Sequence, residues 1–238
     1  WLDYAEFPGN YQWMYGVGLL GGAFSLFFVS RIRVPKEHES PPDTQTQSLR
    51  ELIHLSVGQS QRFRRLVVDT LLFNVGAWMV GPLYIILFVR DLGASDGWVG
   101  IHTAIANVGV MAGYYLWRRW MAKLGKAKSL YYSLPLVCLY AFMVALVPHL
   151  TFILFAGFFA NFVAGGVNLS HSVIFLEQLP PKSRFGANAF YSMVMNIGAF
   201  VGPLVGVALA DRIGIVPTLL IGGVLRCAGA ATFYLWPV

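Results

Sequence analysis

Charge is scarce in this sequence. Aspartate, glutamate, lysine and arginine make up 12% of its 238 residues against 57% hydrophobic ones, where a water-soluble domain ordinarily carries about a quarter charged residues. Cysteine is scarcer still. Cys138 and Cys227 both fall in apolar runs, so neither a disulfide framework nor a thiolate metal site is implied. The five histidines, at 38, 54, 102, 149 and 171, have no metal-ligand spacing, and no nucleophile constellation stands out. The chain is therefore read as no enzyme, with no cofactor. All five lysines, at 36, 123, 126, 128 and 182, lie between the apolar runs, which excludes a retinal Schiff base inside one. The first run is no secretory signal, because acidic Asp3 and Glu6 precede it and no small-residue cleavage site follows.

Long apolar runs are what the chain has in abundance, and its mean hydropathy is +0.62. A hydrocarbon core of about 30 Å takes roughly 20 apolar residues to cross as a helix. Seven runs meet that length: Tyr11 to Val29, Val67 to Val89, Trp98 to Trp117, Ser129 to Val147, Leu150 to Leu176, Ala187 to Ala210 and Ile215 to Trp236. The expected fold is an all-α, polytopic membrane bundle of seven transmembrane helices. With the amino terminus outside, the segments 30–66, 118–128 and 177–186 face the cytoplasm and hold fourteen of the seventeen basic residues. External loops then hold only Arg90 and Arg212, a strong positive-inside bias. The net charge of +6 is thus mostly topology, with no pattern for nucleic acid.

Within the spans, small and polar residues fall into patterns. Gly198, Gly202 and Gly206 recur every four residues in the sixth span and lay bare one helix face for close approach, while Pro203 removes one amide beside them. The first span spells GxGxxG through Gly16, Gly18 and Gly21, but no strand precedes it, so helix packing through Gly18 and Gly22 is the reading. In the fifth span Asn161, Gly165, Asn168 and Ser172 share a face expected to look into the protein. Fourth and fifth spans, parted only by Pro148 and His149, should be antiparallel neighbours. Leu49, Leu52, Ile53 and Val57 of the polar segment 30–66 fit a short surface helix or a plain connector equally.

Several readings stay open at single residues. Asp69 either stabilises the N-terminus of the second span or handles a proton or ion. Trp78, mid-span, either packs between helices or walls a cavity. Asn161, Asn168 and His171 either bond between helices or touch a solute. Arg226, near the middle of the last span, must pair, face water or snorkel, or else serve coupling.

The turn Lys123-Leu124-Gly125-Lys126-Ala127-Lys128 resembles the loop between helices eight and nine of the major facilitator superfamily, with the pattern G-x-x-x-D-R-x-G-R-R. Ala122 stands where that family often has aspartate. The stretch NIGAFVGPLVGVALADRIG resembles the family's eleventh helix, and Gly198, Gly202, Pro203 and Gly206 are similar to the glycine-proline pattern of its antiporter branches, with Val207 replacing the final glycine. The resemblance implies family helices six to twelve: residues 1–30 as the last helix of the amino-terminal half, 31–66 as the cytoplasmic central loop, and 67–238 as the six-helix carboxyl-terminal bundle. It implies a fragment of an ion-coupled secondary transporter in the plasma (inner) membrane, whose partners are the lipid bilayer, a small-molecule substrate and the missing amino-terminal half. It also implies that the last three spans repeat the second to fourth in inverted form.

On that reading Trp78, Asn107, Asn161 and Asn196 are the first candidates for the substrate cavity, and Asn74, Asn168 and Tyr191 the second. Coupling falls to Arg226, Asp69 and His171, the conformational loop is Lys123, Gly125 and Lys126, and helix packing rests on Gly198, Gly202, Pro203 and Gly206. The rival is a seven-helix membrane receptor or photoreceptor-like protein, which shares the topology but usually has a short first cytoplasmic loop.

Overall fold

Serine hydroxyls start two of the helices. Ser60 Oγ accepts the Phe63 amide at 3.2 Å and Ser95 Oγ accepts that of Trp98 at 3.2 Å, each satisfying a donor that helix geometry leaves unpaired. The computed structural model describes residues 8–32, 60–180 and 184–235. Among them run seven helices: α1 (Gly9–Val29), α2 (Gln61–Ile86), α3 (Asp96–Leu124), α4 (Lys126–Leu146), α5 (Leu150–Gln178), α6 (Arg184–Ile213) and α7 (Ile215–Leu235), with no strand. Helix α2 continues into a π-turn over Leu87–Asp91, five residues beyond Pro82. The segment 49–57, read as a surface helix or connector, lies outside the described residues.

Six of the seven are long and apolar enough to cross a membrane. The exception is α3. At 29 residues it has the length, but His102, Asn107, Tyr114 and Tyr115 interrupt its apolar run.

Packing divides the bundle into two equivalent triplets. Exchanging α2 with α5, α3 with α6 and α4 with α7 maps the helix pairing onto itself. Helix α3 lies against α5 as α6 lies against α2, α2 lies against α7 as α5 lies against α4, and α4 meets α7 across the axis. Two helices lie between α2 and α5 in the chain, so α2 and α5 cross in opposite directions, the triplets start at opposite ends, and the repeat is inverted. The connections share the symmetry. Gly125 is the single residue between α3 and α4, Gly214 the single residue between α6 and α7, and both take positive φ, +83° and +91°. Side chains other than glycine rarely adopt that backbone.

Lipid gives apolar helices no reason to leave it for each other, so close approach and dispersion must hold them together. A methyl on Gly109 of α3 would fall 2.5 Å from the Phe158 carbonyl oxygen of α5. In the equivalent interface a methyl on Gly202 of α6 would fall 2.8 Å from Trp78 Cβ of α2, and one on Gly206 would fall 2.7 Å from the Met79 carbonyl carbon. Pro203 lies inside an unbroken α6. Helix α1 is different. Its apolar side chains are exposed, Gly18 and Gly22 meet no described atom, and the Tyr11 hydroxyl donates to Asp96 Oδ2 at 2.5 Å. The close packing expected of those glycines is not made within the bundle, which α1 touches through the Tyr11–Asp96 bond but does not otherwise pack against among the described residues.

Candidate functional site

One helical turn separates Thr70 from Asn74 on α2, and three residues separate Asn168 from His171 on α5, so each pair lies on one face. These faces meet at a cavity of about 150 Å³. Leu130, Leu134 and Val137 of α4 and Phe233 of α7 close its back, together with Phe73, Ala164 and Val167. Tyr191 enters from α6 and Arg226 from α7. Of these residues only Asn168 is exposed, which marks the mouth. By helix rise the cavity sits toward the end of the bundle where α2, α4 and α6 begin.

The polar groups are tied in a short network. The Thr70 hydroxyl and His171 Nε2 share a hydrogen bond of 2.8 Å, and the Asn74 amide donates to the Thr70 carbonyl at 3.0 Å. Tyr191 packs on Phe175 with ring centroids 4.5 Å apart, and its ring lies 6.2 Å from that of His171. Arg226 holds its guanidinium carbon 4.7 Å from the Phe73 ring centroid, and its buried Nε–H meets no acceptor among the described residues. The lining carries one formal charge, that of Arg226, and no carboxylate. The walls are otherwise apolar, so a small solute entering here would be oriented by a few polar groups.

The sequence-derived candidates separate accordingly. Asn74, Asn168 and Tyr191 line this cavity, with His171 and Arg226. Trp78 does not: its ring fills the notch that Gly198 and Gly202 leave on α6. Asn161 is partly buried and donates its amide to the Gly157 carbonyl of its own helix at 2.9 Å. Asn107 and Asn196 are exposed on α3 and α6. Asp69 is 1% exposed, with the Thr232 hydroxyl and the Arg65 guanidinium as the polar groups nearest its carboxylate. On the loop, Lys123 is exposed and Lys126 forms an ion pair with Glu177 at the end of α5. Thr70 and the α4 wall were not anticipated. Thr70 could have been found from its spacing to Asn74; Leu130, Leu134 and Val137 carry no signal that separates a cavity wall from a lipid-facing stripe.

Long apolar helices in an inverted repeat, enclosing a mostly apolar cavity with a few polar groups, define a polytopic membrane protein of transporter architecture. The family model of the Major Facilitator Superfamily matches residues 66–238, well over half of the chain, and the chain belongs to that superfamily. It is an integral, multi-pass membrane protein of a transporter family, seated in a lipid bilayer and acting on small solutes. No curated protein matches it.

Proposed function

We propose that residues 67–238 form the carboxyl-terminal bundle of an ion-coupled secondary transporter, whose solute enters the cavity between α2, α5 and α6 while that bundle rocks against an amino-terminal half. In this reading α1 is the last helix of that other half, residues 31–66 are the central cytoplasmic loop, and the chain is part of a longer protein in the plasma membrane with Trp1 outside. The observation that carries the reading is the cavity itself, with Asn168 at its mouth and Asn74, Tyr191 and His171 inside. Exposed Asn107 on α3 and Asn196 on α6 fit the surface that faces the opposite half, with Asn161 and Trp78 supporting it from behind. Asp69, buried on α2 beside Thr232 and Arg65, fits a carboxyl that exchanges a proton during the cycle. The standing of α1 apart from the six-helix bundle fits a boundary between halves at residues 31–66.

The test is uptake by the whole transporter in proteoliposomes, with candidate solutes screened for flux driven by a proton or sodium gradient. Asn74→Ala and Asn168→Ala should each raise KM for the transported solute about tenfold, the loss of one hydrogen bond to a solute. Unchanged KM and rate in both variants would remove the cavity as the solute site.

A further inference from the structure

An arginine in the middle of a membrane span is costly unless something compensates its charge. Arg226 is eleven residues into α7, partly buried, and takes no part in an ion pair among the described residues. Its ionisable neighbours are Cys138, Cys227 and Tyr84, and neither thiol nor phenol is a counter-ion at neutral pH. The Phe73 face gives it a cation–π contact, which attracts the charge but accepts no hydrogen bond. Its Nε–H is buried without an acceptor among the described residues. A planar guanidinium is built to grip two oxygens or a halide side by side. The nearest open space is the cavity it lines, which contains amide, hydroxyl and imidazole groups and no carboxylate to compete.

We infer that this cavity is an anion site, in which Arg226 holds a small monovalent anion or the carboxylate of an organic solute, with Asn168 donating to it from the mouth. The volume of about 150 Å³ equals on the order of five water molecules. That is room for acetate, or for chloride with residual water. This deepens the transport reading by naming the charge of what enters, and it rests on that reading only for the statement that the occupant moves.

Equilibrium binding tests it. The protein is purified in a non-ionic detergent and its thermal unfolding is followed while sodium acetate or sodium chloride replaces sodium HEPES, whose anion exceeds the cavity, at constant ionic strength. A saturable rise in Tm with acetate or chloride is expected, growing with the logarithm of concentration above Kd. A stronger response to acetate identifies an organic carboxylate as the occupant, and a stronger response to chloride an inorganic ion. Arg226→Gln should abolish the rise. Because that variant could fail to fold, Asn168→Asp at the exposed mouth is the second arm: a carboxylate there should weaken the apparent Kd at least about tenfold. No rise with either anion, or Asn168→Asp and Arg226→Gln responding as the parent does, overturns the inference. No gradient is present in this measurement. Anion binding without uptake would therefore sink the transport reading alone, and uptake without anion binding would sink only this one.

Discussion

Adding one methyl group at Gly206 tests how the bundle is held. The alanine Cβ would lie 2.7 Å from the Met79 carbonyl carbon and nearer still to its oxygen, where ordinary contact begins at 3.4 Å. The neighbour is helix backbone, so no side chain can swing aside and α6 must retreat from α2 by on the order of 1 Å. A gap of that size forfeits a quarter to a half of each dispersion contact along the interface, including those of Trp78 in the Gly198 and Gly202 notch. Overpacking of this kind costs about 1–3 kcal/mol. Replacing glycine by alanine inside a helix returns at most about 1 kcal/mol. The net expectation for Gly206→Ala is a loss of about 1–2 kcal/mol. Gly81→Ala is the control, because it lies on α2 with nothing within 4 Å and keeps only the propensity gain. Unfolding of both variants in mixed micelles, followed by tryptophan fluorescence, should separate them by about 2–3 kcal/mol. Equal stability would refute the claim that backbone contact through glycine holds α6 on α2.

Other substitutions address the turn, the network and the ion pair. Gly125→Ala forces a side chain into φ +83°, ψ 160° and should lower stability by about 1–3 kcal/mol in the same assay, while a neutral result would mean that the turn relaxes freely. His171→Phe leaves the buried Thr70 hydroxyl without its partner and should cost about 1–3 kcal/mol. Adding Thr70→Val should recover most of that loss, and an additive double variant would show that the bond contributes nothing. Lys126→Ala removes a partly exposed ion pair and should change stability by less than about 1 kcal/mol, so a loss above about 2 kcal/mol would contradict a surface role.

Lipid makes some features of such a chain easy to read. Every backbone group in the hydrocarbon must bond within its own helix, so run length located the spans and inversion of the repeat followed from their number. Run length alone did not weigh the polar residues His102, Asn107, Tyr114 and Tyr115 within α3. Spacing found the shared face of Asn161, Gly165, Asn168 and Ser172, but not what it meets. Gly165 packs on Gly113, Asn161 turns back to its own helix, and Asn168 is exposed at the mouth. Trp78 shows the same limit: the notch that receives it is about 120 residues away in sequence. The wall from α4 was illegible because leucine and valine have one signature whether they face lipid, a neighbour or a void. Arg226 was conspicuous by its cost alone, and only three-dimensional proximity revealed that its open side is a cavity without carboxylates.

The paired one-residue elbows bear on how the chain enters the bilayer. With only Gly125 between α3 and α4, and only Gly214 between α6 and α7, neither second helix has slack to wait outside while the first settles. Each pair must be threaded in as a hairpin, one closing on either side of the membrane. The helices of each pair meet little beyond their elbow, so α3 and α4 gain their packing from α5, and α6 and α7 gain theirs from α2.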